Sequence, residues 1–291
     1  MYLALIFAII SPFIWGFMNV LDKYILSHKI KNPISFAIVA GIVNLIFGII
    51  IAIFLNWSGV KAIDLLFPAV AGILWGLQFY FYYDAMKKTD ASYLVGFVFL
   101  YPVVVSFLSF IFLKEVLPGW CYLGLIFTII GVMLLNLRAN KIKLISNIFI
   151  ILALILLAAG YEFFIKVATN NIYFMNGLSI TMIFLGLTIL PAFFHKKTRA
   201  GFSYELTNIK WAFLNEFFGL IAVFTVYFAM NGLSATVVSS ISATQPLSVL
   251  IFERIFHNKF GKITKDINLL PKLGSIILIV LGVILLSVFG T

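Results

Sequence analysis

The sequence predicts an all-α integral membrane protein with ten transmembrane helices, arranged as two inverted repeats of five helices. Three observations predict this fold class: an apolar composition, a series of long apolar runs, and a stretch of sequence that occurs twice. Of the 291 residues, 63% are hydrophobic and only 10% are charged. A soluble domain carries about 25% charged residues. The chain has too little polar surface to stay dissolved in water, so we expect it to lie in a lipid bilayer.

Ten apolar runs are each close to the roughly 20 residues needed to cross a bilayer core of about 30 Å. Because the bilayer core offers no water to the backbone, such runs must be helices or strands of a closed barrel. Their apolarity is continuous rather than alternating, which favours helices. The runs are Leu3–Leu26, Pro33–Leu55, Asp64–Met86, Ala91–Phe112, Pro118–Leu137, Ile145–Val167, Phe174–Phe194, Asn208–Asn231, Ala235–Phe256 and Leu269–Phe289.

The repeated stretch covers Tyr83–Pro102 and Tyr227–Pro246, which lie 144 residues apart. The residues that are identical at this offset are Tyr83, Ala85, Met86, Ala91 and Pro102 in the first copy, and Tyr227, Ala229, Met230, Ala235 and Pro246 in the second. The offset spans five predicted helices, and an odd number of crossings inverts the second copy. We therefore predict two repeats, 1–144 and 145–291. Inverted repeats are common in secondary transporters, with the substrate site near the midplane between them.

Basic residues predict the orientation. Seventeen of the 20 lysines and arginines lie in or beside the odd-numbered loops, and three lie in or beside the even ones. Because cytoplasmic loops carry the excess of basic residues, both termini are predicted outside the cell, in a multi-pass protein of a prokaryotic plasma membrane. The first run has no basic region before it and no small-residue cleavage site, so it is expected to be a retained helix.

The sequence gives little sign of catalysis or of a cofactor. The single cysteine, Cys121, excludes a disulfide framework and a multi-cysteine metal site. The histidines His28, His195 and His257 lie in predicted loops and form no zinc motif. No phosphate-binding G-x-x-x-x-G-K-[S/T] loop is present. We expect neither metal nor cofactor, and no enzyme activity. Two alternatives stay open: a passive channel, and a membrane enzyme acting on lipid-linked substrates.

Several short motifs recur in order along the chain. Helix one carries Ile14-Trp15-Gly16, followed by Asn19 and Lys23. The motifs that follow in the first half are Pro102, Leu113-Lys114-Glu115, Gly124 and Gly131-Val132-Met133-Leu134-Leu135. Their counterparts in the second half are Ala159-Gly160-Tyr161, Pro246, Gly274 and Gly282-Val283-Ile284-Leu285-Leu286.

Together these motifs resemble those of EamA-type transporters, a branch of the drug/metabolite transporter superfamily. The resemblance covers essentially the whole chain and implies transport of small metabolites through a central cavity. It also implies a structural role for Glu115 at a helix end. The sequence departs from the family pattern at Lys259, where the second half lacks an acid; the nearest acid there is Glu253.

Two glutamates, Glu162 and Glu216, lie inside predicted helices. Ionisable groups at membrane depth are costly and are functional candidates by default. We predict that both bind substrate and that one of them couples proton binding to its release. Each has a structural alternative: Glu162 with Lys166 at i,i+4, and Glu216 in a pair between helices. Asp22 is near a helix end, where snorkelling or a gate ion pair is the simpler expectation.

Aromatic and amide side chains complete the predicted site. Trp75, Gln78, Phe79 and Tyr82 follow the spacing i, i+3, i+4, i+7 and share one helix face. Carboxylates beside aromatic rings suit an organic cation through charge pairing and cation–π contact. The predicted substrate-binding residues are Trp15, Asn19, Trp75, Gln78, Phe79, Tyr82, Tyr161, Glu162, Glu216, Tyr227 and Gln245.

The predicted function is secondary active transport by alternating access, either proton-coupled or by exchange. The expected cargo is a small cationic or zwitterionic metabolite, such as an amine or an amino-acid-like molecule. Pro102 and Pro246 are predicted to gate with the two glutamates, because proline loosens a helix by removing a backbone hydrogen bond. The expected partners are the substrate, protons and the bilayer, with no nucleic acid, in a monomer or a homodimer.

Overall fold

A computed structural model describes residues 2–30, 32–88, 91–137, 148–194, 208–256 and 273–289. These residues form helices and short turns, and they contain no β-strand. The helices are α1 (Tyr2–His28), α2 (Pro33–Phe54), α3 (Leu66–Lys88), α4 (Ala91–Val98), α5 (Tyr101–Leu108), α6 (Gly119–Leu137), α7 (Ile148–Asn171), α8 (Phe174–Ile189), α9 (Ile209–Gly232), α10 (Ala235–Ser242), α11 (Gln245–Phe256) and α12 (Leu273–Phe289).

Seven helical stretches of the described chain are long and apolar enough to cross a membrane. They are Tyr2–His28, Pro33–Phe54, Ala62–Lys88, Ile148–Asn171, Phe174–Phe194, Lys210–Gly232 and Ala235–Phe256. Three shorter apolar helices are Tyr101–Leu113, Gly119–Leu134 and Gly274–Leu286. The described part of the chain is therefore helical throughout, with the spans of a multi-pass membrane protein. The predicted starts at Ile145 and Leu269 lie outside the described residues, as do His195, His257 and Lys259.

The fourth and ninth predicted runs are each broken into two helices. α4 ends at Val98 and α5 begins at Tyr101, while α10 ends at Ser242 and α11 begins at Gln245. In both cases proline is the second residue of the new helix. Proline has no N–H to donate to the carbonyl four residues earlier. For Pro102 and Pro246 those carbonyls belong to Val98 and Ser242, the last residues before the breaks. The prolines therefore explain where both helices stop.

α1 contacts two helices of opposite direction, α3 and α9. Its contacts with α3 occur in parallel order and include Trp15 with Trp75, Asn19 with Tyr82, and Lys23 with Met86. Its contacts with α9 occur in antiparallel order and include Phe7 with Phe228, Phe17 with Phe218, and Tyr24 with Trp211. The directions of α3 and α9 are consequently opposite.

Glycines allow other helices to approach closely. A Cβ at Gly72 of α3 would lie 2.3 Å from the carbonyl oxygen of Thr181 on α8. A Cβ at Gly282 of α12 would lie 2.6 Å from the carbonyl oxygen of Gly124 on α6. Small residues at such contacts are a common basis of helix association in membranes, because packing replaces the hydrophobic effect there. These contacts fix α3 against α8 and α6 against α12.

Candidate functional site

A cavity of about 120 Å³ lies among α1, α3, α4, α5, α7, α9, α10 and α11. Each of the two broken segments contributes to its wall at the break, through Val98 and Tyr101 in one and Ser242 and Gln245 in the other. Helix breaks leave backbone groups and small side chains near the middle of a segment, a common basis of binding sites in transporters. The breaks thus place polar groups beside this cavity.

The structure brings ten of the eleven predicted substrate-binding residues to the cavity wall. They are Trp15, Asn19, Trp75, Gln78, Phe79, Tyr82, Tyr161, Glu162, Glu216 and Gln245. The eleventh, Tyr227, is fully buried and is not on this wall. Its hydroxyl hydrogen-bonds to the Thr181 hydroxyl and the Gly177 carbonyl, so it joins α9 to α8. Of the residues predicted to gate, Pro102 and Pro246 lie at the two breaks.

Aromatic rings form one side of the cavity. The Trp15 and Trp75 rings meet edge to face with centroids 6.0 Å apart. The Trp75 and Tyr161 rings are 4.9 Å apart, and the Trp75 and Phe79 rings 5.6 Å apart. These separations are typical of favourable aromatic pairs. Trp75 therefore touches three other rings, and its ring is held by packing before any ligand binds.

Glu162 of α7 is the acid with an open acceptor. Its side chain is 6% exposed, and Oε1 accepts a hydrogen bond from the Tyr101 hydroxyl at 2.6 Å. Oε2 is buried and has no hydrogen-bond partner among the described residues. Lys166, the expected i,i+4 partner, instead donates to the carbonyl oxygens of Met230 and Leu233 at 2.9 and 2.7 Å. The alternative of a local Glu162–Lys166 pair does not hold in the structure.

Glu216 of α9 differs because the protein supplies donors to both of its oxygens. Asn44 Nδ2 donates to Oε2 at 3.1 Å, and the Tyr83 hydroxyl donates to Oε1 at 3.3 Å. Hydrogen bonds of this kind satisfy a buried carboxylate that would otherwise be costly. Glu216 is 2% exposed and still borders the cavity beside Gly219. Its hydrogen bonding therefore differs from that of Glu162.

Asp22 of α1 is a cavity residue that the sequence did not place at the site. It is 4% exposed; Asn215 Nδ2 lies 2.7 Å from its Oδ1 and the Tyr82 hydroxyl 3.3 Å from its Oδ2. The same hydroxyl lies closer, at 2.6 Å, to the Asn19 amide oxygen. The sequence predicts snorkelling or a gate ion pair for Asp22, because it is near the predicted end of helix one. In the structure Asp22 is instead hydrogen-bonded to side chains of α9 and α3, which place it at the cavity.

One signal in the sequence could have found Asp22. The cavity residues of α1 are Trp15, Met18, Asn19 and Asp22, with the spacing i, i+3, i+4, i+7. The residues of α3 that we selected by this spacing, Trp75, Gln78, Phe79 and Tyr82, also all border the cavity. Two helices thus present faces with the same spacing. Tyr101 carried no such signal, because its contact with Glu162 joins α5 to α7 across 61 positions.

The arrangement can bind a small, positively charged group. It offers one unfilled carboxylate oxygen, π faces held in fixed positions, and hydroxyl and amide groups. Among described residues the wall carries Asp22, Glu162 and Glu216 but no lysine or arginine. A cavity with an aromatic, mainly apolar wall and a few buried polar groups thus lies among the helices of a multi-pass membrane protein.

Comparison with known proteins gives one family match and one shared fold. Residues 2–137 match the EamA-like transporter family, which is part of the drug/metabolite transporter superfamily. One solved crystal structure aligns with 99% of this chain and 96% of its own, with a TM-score of 0.66 and 13% sequence identity. At that identity the likeness shows a shared fold and nothing of the substrate. No curated protein matches the sequence.

Proposed function

We propose that the protein is a secondary active transporter that carries a small cationic or zwitterionic metabolite across the plasma membrane by alternating access. The unfilled Oε2 of Glu162 beside the aromatic wall carries this proposal. A buried carboxylate without full hydrogen bonding is costly, and an ammonium group on a ligand would supply the missing donor. Trp15, Trp75 and Tyr161 would add cation–π attraction to the same charge.

Two further unpaired groups favour a zwitterion or a hydroxylated amine. Asn19 Nδ2 and the Tyr161 hydroxyl are buried and have no hydrogen-bond partner among described residues. Both residues border the cavity that Glu162 lines. An amide N–H and a phenol can donate to a carboxylate or hydroxyl on the ligand. The cavity would then bind an ammonium group at Glu162 and an acceptor group near Asn19, in the manner of an amino acid or amino alcohol.

Alternating access requires two halves that can exchange conformations. Helices in matching places of the two halves pack in antiparallel order: the contacts of α2 with α8 include Gly41 with Ile189 and Gly48 with Ile183, and those of α6 with α12 include Gly124 with Gly282 and Gly131 with Ser275. Together with the opposite directions of α3 and α9, this order supports an inverted repeat of five-helix halves. Ten spans, with both termini outside, are part of the proposal.

Coupling to protons is assigned to Glu216. Asn44 and Tyr83 provide its hydrogen bonds, so its carboxylate needs no ligand to be satisfied. A proton can then be taken up or released at Glu216 while the substrate occupies Glu162. Exchange of one solute for another would use the Glu162 site alone. In this proposal Glu162 binds the substrate and Glu216 couples transport to protons.

The first test is ligand binding by the purified protein. Amines, amino acids and nucleosides are screened by thermal shift on the parent, on Glu162→Gln and on Glu253→Gln. Glu253 is also buried but is absent from the cavity wall. We expect at least one amine or amino acid to raise the Tm of the parent and of Glu253→Gln, but not of Glu162→Gln. An equal shift in Glu162→Gln would show that the carboxylate does not bind the ligand.

A further inference from the structure

Two buried lysines bind the ends of two different helices. Lys23 Nζ of α1 donates to the carbonyl oxygen of Met86 at 2.9 Å, and the carbonyl that follows is 3.5 Å away. Lys166 Nζ of α7 donates to the carbonyl oxygen of Met230 at 2.9 Å and to the one three residues later at 2.7 Å. Met86 and Met230 occupy the same place in the repeated stretch. Each lysine therefore binds the negative end of a helix at a matching position, which is favourable for a cation.

The two helix ends lie at opposite ends of the protein. Lys23, near the end of α1, binds the end of α3, whereas a Cβ at Gly232, the end of α9, would lie 2.7 Å from Ala4 at the start of α1. Nineteen residues of α-helix between Ala4 and Lys23 span about 28 Å. That distance is close to the roughly 30 Å hydrocarbon thickness of a bilayer. The lysines thus act at the two faces of the membrane region.

Glu115 binds the chain just after the end of α9, at the start of α10. Its carboxylate oxygens accept hydrogen bonds from the Ala235 N–H, the first residue of α10, at 3.3 and 3.2 Å. An acid at a helix start and a base at a helix end both complement the helix dipole. The turn at 232–234 is consequently held between Lys166 of α7 and Glu115, which follows α5. Lys166 lies on α7, which lines the cavity through Ala158, Tyr161 and Glu162, so the turn is tied to one cavity helix.

We propose that Lys166 and Glu115 form a latch that closes the cavity at the face of the 232–234 turn, and that Lys23 forms the latch at the opposite face. Release of the Lys166–Glu115 latch frees α9 and α10 to move away from α7, the first helix of their own repeat. Release of the Lys23 latch frees α3 to move away from α1, the first helix of its repeat. The proposal rests on alternating access. It goes beyond the cavity site, because none of these three side chains lines the cavity.

The latches are tested by measuring from which face the cavity can be reached. Ala158 is a small cavity residue, and Cys121 is the only cysteine of the chain. Ala158→Cys in a Cys121→Ser background provides one reporter thiol, which is labelled with a membrane-impermeant maleimide in right-side-out and in inside-out vesicles. We expect Lys166→Met and Glu115→Gln to raise labelling by about tenfold from the face of the 232–234 turn, as for one charge-assisted hydrogen bond lost. Labelling from the other face should fall.

Lys23→Met should lower labelling from the face of the 232–234 turn and raise it from the opposite face. Lys88→Met is the matched control, because Lys88 forms an exposed ion pair with Asp84 and should change neither rate. Lys166→Arg keeps a donor and should restore the parent rates; it also serves if Lys166→Met does not fold. Unchanged rates, or equal increases from both faces, would overturn the latches. Fast labelling of the parent from both faces at once would instead overturn alternating access itself.

Discussion

The hydroxyl of Tyr101 donates a hydrogen bond to the Glu162 carboxylate at 2.6 Å, and so joins α5 of the first half to α7 of the second. Both side chains are buried at the break after α4. The bond fixes one carboxylate oxygen, while the other has no hydrogen-bond partner among the described residues. It also joins Glu162, the proposed binding group, to one of the two broken segments.

Tyr101→Phe should therefore destabilise the protein. Removal of one partner leaves a buried acceptor unsatisfied, which costs about 1–3 kcal/mol. We expect a lower Tm of the purified protein in detergent, measured by differential scanning fluorimetry. Tyr173→Phe is the control, because Tyr173 is 59% exposed. A Tm equal to that of the parent would contradict the assigned hydrogen bond.

Trp75→Leu should weaken amine binding while the fold is kept. Trp75 packs against Trp15, Phe79 and Tyr161, and leucine preserves apolar contact but has no π face. Loss of a cation–π contact of up to about 2 kcal/mol corresponds to a drop in affinity of up to about thirtyfold. The Kd of the stabilising amine is measured by titration calorimetry, with Trp120→Leu as the control because Trp120 is 56% exposed. Equal affinities in both variants would mean that the rings act only in packing.

Glu216→Gln should separate coupling from binding. Glutamine keeps the size of the side chain but cannot exchange a proton. In proteoliposomes we expect accumulation driven by a pH gradient to be lost, while exchange of labelled for unlabelled substrate continues. Glu162→Gln should lose both activities. Accumulation that persists in Glu216→Gln would place coupling elsewhere, with Asp22→Asn as the next variant to measure.

Gly72→Ala should reduce the yield of folded protein. The added methyl group would lie 2.3 Å from a carbonyl oxygen of α8, and backbone cannot move aside as a flexible side chain can. Overpacking typically lowers the free energy of unfolding by about 1–3 kcal/mol. We therefore expect a lower Tm, and more aggregate in size-exclusion chromatography. Gly119→Ala is the control, since nothing lies within 4 Å of a Cβ there. Equal behaviour of the two variants would refute the close contact.

The sequence was sufficient to predict an all-helical membrane protein, because continuous apolarity is a property of the chain itself. The ten spans and the inverted repeat stay predictions. The sequence was also sufficient to select residues on α1 and α3, where a helical spacing places side chains on one face. Asp22 was missed because its partners, Asn215 and Tyr82, lie on helices that are distant in the sequence. Tyr101 and Lys166 depend on contacts between distant segments, which no local pattern records. Tyr227 had the same local features as cavity residues, and packing against α8 decided its place.

Transport by alternating access is tested most sharply by proteoliposome uptake of the amine or amino acid that stabilises the protein. A transporter by alternating access should take up labelled substrate with a saturable rate, and unlabelled substrate inside the vesicles should accelerate that uptake. We expect saturable uptake and its acceleration by internal substrate in the parent, and neither of them in Glu162→Gln. Uptake that rises in proportion to substrate concentration and does not respond to substrate inside the vesicles would show a passive channel and contradict alternating access.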